Sequence, residues 1–263
     1  MIKGIIFDLD DTLLWDQKSV EVAFANTCKL AEEKYGINPD AFEEAVRDAA
    51  RQLYASYDTY EFTKLIGINP FEGLWGNFLE DHDEFPKMRE NSSTYRKNAW
   101  TLGLKAFGID DPEFGHVLAE RFPEERRGNP FVYEETFHVL DALNGNFQLL
   151  LLTNGSPDLQ HTKLSISPEI KEYFDQILIS GDFGKGKPDP TIFEHALSLM
   201  NLKKDEVLMV GDNLMTDILG SNRIGMKNVW INRHNKERNE VIPTYEINHL
   251  EELLGIISTI NAE

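Results

Sequence analysis

A single cysteine, Cys28, stands in a chain of 263 residues. No intramolecular disulfide can form, and a reducing compartment suits the protein. No paired Cys or Cys/His cluster is spaced for zinc. Cys28 falls on the helical face Val20, Phe24, Cys28, Ala31, Tyr35, which marks it as core filling rather than a nucleophile. Apolar runs long enough to cross a bilayer are missing, and Ile2 to Phe7 reads as a strand without a signal-length apolar region. A soluble, cytoplasmic protein is expected. Basic residues are scarce: 26 Lys and Arg face 45 Asp and Glu, a formal charge of -19. That charge opposes nucleic acid polymers and anionic membranes, and leaves small molecules as the expected partners. A phosphorylated partner would be repelled at long range, so a site for one needs concentrated local positive charge. Nucleotide-binding signatures are missing too. No G-x-x-x-x-G-K-[ST] loop occurs, and no G-x-G-x-x-G follows the first strand. Internal repeats, low-complexity tracts and any signal for an oligomeric state are also lacking.

With 41% hydrophobic and 11% aromatic residues, the chain can bury one large core or two smaller ones. Short apolar runs that suit buried parallel strands occur at Lys3 to Phe7, Gln148 to Leu152, Gln176 to Ile179, Val207 to Val210 and Asn228 to Ile231. Helical patterns follow the later runs, at Pro157 to Leu164, Thr191 to Met200 and Thr216 to Ile224. This alternation predicts an α/β fold, a doubly wound parallel sheet with helices on both faces. Between the first and second runs the patterns are helical: Val20 to Tyr35, Phe42 to Tyr54, Trp100 to Phe107, and Phe114, Leu118, Phe122. Residues 16–129 therefore read as an inserted α-helical domain, and residues 1–15 plus 130–263 as the sheet domain. A helix from Tyr133 to Leu143 leads back to the sheet. Hinges are expected near Trp15 to Lys18 and Arg126 to Pro130.

Four polar signatures follow four of the strands. After the first come Asp8, Leu9, Asp10, Asp11 and Thr12, residue types that also cap helices and form turns. After the second come Thr153, Asn154, Gly155 and Ser156, a turn that offers a hydroxyl and backbone donors to an oxyanion, or caps the next helix. After the third, Asp189 and Pro190 start a helix, while Lys187 precedes Pro188 and is biased to an extended backbone that aims its side chain. After the fourth come Gly211, Asp212 and Asn213, with Asp217 five residues beyond Asp212, where helix capping alone accounts for it. Taken singly, each has a structural explanation. Taken together, they occupy the same end of different parallel strands, so folding would gather them in one crevice. Asp8, Asp10 and Asp212 would repel one another there without a cation, and oxygen ligands without His or Cys favour magnesium, Mg2+. Lys187, with Thr153 and Asn154 as donors, would supply the local positive field for a phosphate. A carboxylate can then serve as nucleophile, and Asp8 is best placed.

In their order and wording these motifs resemble the haloacid dehalogenase superfamily, across the whole chain. The resemblance implies a Rossmann-like core with an α-helical cap. It casts Asp8 as nucleophile and Asp10 as general acid and base. Asp8, the carbonyl of Asp10 and Asp212 would be metal ligands, Thr153 and Lys187 phosphoryl binders, and Asp217 a support for Lys187 or for waters on the metal. Dehalogenases of the family lack the second aspartate, so Asp10 favours phosphoryl chemistry. The implied activity is that of a magnesium-dependent phosphatase of small phosphorylated metabolites. O-phospho-L-serine is the first substrate guess, with nucleoside monophosphates or a sugar phosphomutase activity as alternatives. Intact Asp8, Asp10, Lys187 and Asp212 argue against a noncatalytic binding protein. Trp15, Asp16, Arg47, Arg51 and Arg96 are cap-side candidates for substrate contact, although charged cap residues are mostly solvated.

Overall fold

The computed structural model describes residues 1–238 and 240–262. Two compact units divide it: Met1–Trp15, Val132–Gly155 and Ser167–Glu263 form the first, Asp16–Phe131 and Ser156–Ile166 the second.

The first unit is built on six parallel strands: β1 (Gly4–Phe7), β2 (Gln148–Thr153), β3 (Gln176–Ile179), β4 (Val207–Gly211), β5 (Lys227–Ile231) and β6 (Tyr245–Ile247). Their order is β3-β2-β1-β4-β5-β6, so β1 lies between β2 and β4 and the order reverses there. Ile5 faces Leu149 on one side and Leu208 on the other, which sets Phe7 level with Leu151 and Val210. All four residues of β1 and all five of β4 are buried, as befits strands covered on both faces. On one face Ile6, Leu150, Leu152, Met209 and Val207 pack against Ile192, Phe193 and Met200 of the helix Pro190–Met200. The short helix Leu219–Arg223 comes so close to Phe193 that a Cβ on Gly220 would stand 2.1 Å from its ring, so glycine is required there.

The five expected strands are present, and β6 is an addition. So is the closing helix Glu252–Ala262. The expected helix Thr216 to Ile224 begins instead as a π-helical turn, Leu214–Ile218, and becomes α-helical only at Leu219.

The second unit is helical: Asp16–Tyr35, Pro39–Ser56, Tyr60–Ile66, Phe85–Lys105 and Pro112–Gly128 are its main elements. Side chains of Asn38 and Asp111 cap two of these helices, each followed by Pro in the first turn. Phe24, Phe42, Trp100 and Phe122 form an aromatic centre, and Cys28 is enclosed beside them. Burial raises the Cys28 thiol far above its usual range, consistent with an inert core residue.

The unit boundaries depart from the expected 16–129. The helix Pro157–Ile166, which follows β2 in sequence, belongs to the helical unit rather than to the sheet. Leu159 joins the aromatic core, and Lys163 Nζ lies 3.1 Å from Glu72 Oε1. Glu80 Oε1 accepts from Ser156 Oγ and from the Asp158 N–H, holding the start of that helix. The chain therefore passes between the units four times.

Candidate active site

Asp8 follows β1 directly, and its N–H donates to the Val210 carbonyl at 2.9 Å, continuing the ladder to β4. The side chain emerges at the strand-order reversal, where an open parallel sheet forms its crevice. Beyond it the backbone turns sharply. Leu13 and Leu14 N–H groups both donate to the Leu9 carbonyl, and Asp11 takes a left-handed φ of 60°, a conformation Asp tolerates better than most residues. The turn brings Thr12 Oγ1 within 3.2 Å of Asp8 Oδ2, as donor. Thr12 lies in the sequence motif but carried no expected role.

Lys187 Nζ lies 2.5 Å from Asp8 Oδ1, 2.7 Å from Asp217 Oδ1 and 2.8 Å from the Leu152 carbonyl of β2. All three ammonium donors are thus directed, and Lys187 is 4% exposed. Its backbone is clamped as well. The Lys187 N–H donates to Asn154 Oδ1 at 2.8 Å, while Asn154 Nδ2 donates to the Lys187 carbonyl at 2.9 Å. Both ends of the Asn154 side-chain amide thus serve Lys187. A Cβ on Gly186 would meet Asn154 Oδ1 at 2.8 Å, so the neighbouring glycine permits the clamp. Thr153, the last residue of β2, is buried at the same end of the sheet.

From β4, Gly211 leads to Asp212, whose carbonyl accepts from Trp230 Nε1 at 2.7 Å. The π-helical turn folds Asp217 back under Gly211, where Asp217 Oδ2 accepts from the Asn213 N–H at 3.1 Å. A Cβ on Gly211 would stand 2.3 Å from Asp217 Oδ2, so only glycine fits. Such π-turns often mark functional positions.

One carboxylate oxygen from each of Asp8, Asp212 and Asp217 falls within a set spanning 4.8 Å. Against these three acids Lys187 supplies one positive charge. Burial raises Asp8 to about 6, against the opposing pull of Lys187, and Asp217 adds to the rise. Burial also drives Asp212 well above the usual carboxylate range, reinforced by Asp8, Asp217 and Asp11. Burial disfavours the charge on Lys187, but Asp217 and Asp8 outweigh it and hold its pKa above the ordinary value. Crowded, desolvated oxygen donors with excess negative charge fit a hard divalent cation. Asp217 joins the carboxylate group, while the Asp10 carboxylate does not, in keeping with a role for Asp10 through its carbonyl. Asp10 itself bridges to Leu14 within the loop.

Among the cap-side candidates, Trp15 belongs to the first unit and stacks on Tyr133, ring centroids 5.2 Å apart. In the second unit Asp16 is bound to Arg126 at 2.6 Å, and Arg126 and Lys163 hold its carboxyl below the usual range despite burial. Arg47 pairs with Glu43 and Arg51 with Asp48 along their own helix, and Arg96 donates to the Gly76 carbonyl and to Asn77 Oδ1. Sequence reasoning missed Arg233, which donates to the Thr12 carbonyl at 3.0 Å, pairs with Glu135 and lies 3.6 Å over the Tyr133 ring. Nothing in the sequence connects these residues, which are far apart along the chain.

Residues 2–225 match the haloacid dehalogenase-like hydrolase family. Phosphoserine phosphatase of Thermus thermophilus is 32% identical over 253 residues, which cover 96% of this chain and 98% of that protein. Glyceraldehyde 3-phosphate phosphatase of Pyrococcus abyssi is 30% identical over 231 residues, 88% of this chain and 81% of that one. Among solved structures, the magnesium-bound HAD-hydrolase YfnB of Bacillus subtilis superposes with a TM-score of 0.65 at 24% identity, covering 97% of this chain and 98% of YfnB. The match extends over the strand-terminal aspartates, the buried lysine and strands β1 to β4, and the chain belongs to the haloacid dehalogenase-like hydrolases.

Proposed function

We propose that the protein is a magnesium-dependent phosphomonoester hydrolase working through an aspartyl-phosphate on Asp8, with O-phospho-L-serine as its best substrate. The observation that carries this reading is the placement of Asp8. It is a buried carboxylate at the strand-order reversal, oriented by Lys187 on one oxygen and Thr12 on the other. Asp8, Asp212 and the Asp10 carbonyl would hold the ion, with Asp217 alongside. Once bound, magnesium supplies positive charge that offsets the phosphoryl oxygens and the crowded acids.

A carboxylate oxygen of Asp8 attacks phosphorus, the bond from phosphorus to the ester oxygen breaks, and the Asp10 carboxyl gives its proton to the leaving alkoxide. Asp10, now ionised, takes a proton from water as the water oxygen attacks phosphorus. The bond to Asp8 breaks, and inorganic phosphate leaves. Lys187 and the Thr153 hydroxyl bind phosphoryl oxygens, while Asn154 keeps Lys187 in position. The choice of phosphoserine rests on the near full-length similarity to the Thermus phosphatase.

The test is phosphate release from a panel of phosphomonoesters with magnesium and with chelator, beside Asp8→Asn and with a 2-haloacid as control. Magnesium-dependent release, lost in the variant and fastest with phosphoserine, is expected. Halide release, or conversion of a sugar phosphate to its isomer without free phosphate, would overturn the reading. Faster turnover of a nucleoside monophosphate would overturn the substrate choice alone.

A further inference from the structure

β4 and β5 stay in register until Gly211 pairs with Trp230. Asp212 lies one residue beyond that last paired position, and the next residue, Asn213, is exposed to solvent. The chain is leaving the sheet at the point where the Asp212 side chain departs from it. Trp230 extends the hold of β5 by one residue. Its indole, 1% exposed, donates Nε1–H to the Asp212 carbonyl at 2.7 Å. The same ring packs with Leu214 and Ile218, the first and last residues of the π-helical turn. An indole has one polar atom, a donor, and enclosing it without an acceptor is unfavourable. The ring is therefore placed by this contact as well as by its packing.

The Asp212 carbonyl and the Asn213 N–H belong to one peptide unit, and that unit is held at both ends. Trp230 bonds its oxygen, while Asp217 Oδ2 accepts from its N–H at 3.1 Å. Because a trans peptide is planar, with C=O and N–H directed oppositely, fixing one end orients the other. Hydrogen bonds that share a peptide also polarise and strengthen one another. The Asp217 N–H returns a bond to the Asn213 carbonyl at 3.0 Å, which closes the turn. Trp230 thus stands behind two of the three carboxylates whose oxygens converge within 4.8 Å. It acts on Asp212 through that residue's own carbonyl, and on Asp217 through the peptide that both side chains grip.

We infer that Trp230 is a positioning residue for the divalent cation, its indole N–H holding the peptide between Asp212 and Asn213 in the orientation that keeps the Asp212 and Asp217 carboxylates converged. The inference rests on the proposed metal dependence. Metal sites depend on such outer partners to orient their ligands, and their loss commonly weakens affinity about tenfold or more. Without the indole N–H the peptide can turn away from Asp217. Each binding event must then restore its orientation, which lowers affinity.

Variants of the full chain, measured without substrate, separate this role from packing. Trp230→benzothienylalanine puts sulfur where the indole N–H stands and keeps the size of the ring, while Trp230→Phe removes the donor together with part of the ring. Val229→Ala shortens a fully buried side chain on the opposite face of the same strand and leaves the indole in place. Magnesium affinity is read by calorimetry and apo stability by Tm. The benzothienyl variant is expected to bind magnesium about tenfold more weakly than the wild type. Trp230→Phe should bind at least as weakly and have a lower apo Tm as well. Val229→Ala should lower the apo Tm and keep the wild-type dissociation constant. The benzothienyl variant carries the test even where Trp230→Phe does not fold. Wild-type affinity in it would overturn the inference and leave the metal reading intact. Equal weakening in Val229→Ala would also overturn the inference, by showing that affinity follows the general stability of β5. Failure of the wild-type protein to bind magnesium would overturn both.

Discussion

Lys187 Nζ sits 2.7 Å from Asp217 Oδ1, and both side chains are almost fully enclosed. In the proposed reaction Lys187 exchanges Asp8 for phosphoryl oxygens, so the contact that keeps its position through the cycle is the one to Asp217. Asp217→Asn therefore removes a buried counter-ion while leaving Asp8 and the Leu152 carbonyl in place. Breaking a buried pair on one side costs about 3–5 kcal/mol, and the retained partners put this case near the lower bound. The expected outcome is a loss of about 3 kcal/mol in urea unfolding with a fall in kcat/KM. Unchanged stability would mean that Lys187 does not depend on Asp217.

Gly211→Ala tests the same contact from the backbone. Its Cβ would meet Asp217 Oδ2 at 2.3 Å, and Asp217 is pinned from behind by the Asn213 N–H, so the carboxylate must be pushed off Lys187. One methyl group should then reproduce most of the activity loss of Asp217→Asn, and the two changes should be far from additive in a double variant. Wild-type kinetics in Gly211→Ala would refute the packing argument.

Cation binding should depend on pH in a defined direction. Asp8 titrates near 6 and Asp212 well above the ordinary carboxylate value, both raised by burial. For acids raised on folding, the apo protein has their full contribution below the unfolded value near 3.8 and loses it as pH climbs through the folded values. Lys187 is raised from above 10, so its contribution is constant over this window. A cation requires the ionised acids and relieves their repulsion, so the magnesium-induced rise in Tm should be larger at pH 7.5 than at pH 5. Thermal unfolding with and without magnesium at the two pH values reads this directly. An equal or larger rise at pH 5 would contradict it.

Much of this arrangement was legible in the sequence, because the local code and the global fold agree at the strand ends. β1 and β4 are apolar runs followed at once by Asp8 and Asp212, so periodicity and position identified them together. β6 was not legible: three residues, two of them only half-buried, carry no pattern. The helix Pro157–Ile166 was read correctly as a helix and assigned to the wrong unit, because its location depends on Leu159, Lys163 and the distant Glu72 and Glu80. Residue type did not reveal the side-chain role of Asn154, whose amide the fold commits to the Lys187 backbone. The Trp15, Tyr133 and Arg233 stack joins three separate segments, and no local rule anticipates it.

The buried pair of Lys163 and Glu72 gives the helical unit a test of its own. Lys163 is 3% and Glu72 9% exposed at the side chain, and Glu72 Oε2 also accepts from the Asn69 N–H in a capping box. Lys163→Met takes away the ammonium and leaves a desolvated carboxylate, which should destabilise the protein by about 3 kcal/mol. Glu72→Gln keeps the capping acceptor but leaves the ammonium without that carboxylate, with a loss of similar size. In the double variant no net charge is left unmatched between the two positions, and Met fills the space of the lysine stem. Its loss of stability should therefore fall short of the sum of the single losses by at least about 1 kcal/mol. Chemical denaturation of the four proteins completes the cycle, and simple additivity would show that the ion pair does not couple Pro157–Ile166 to the rest of the helical unit.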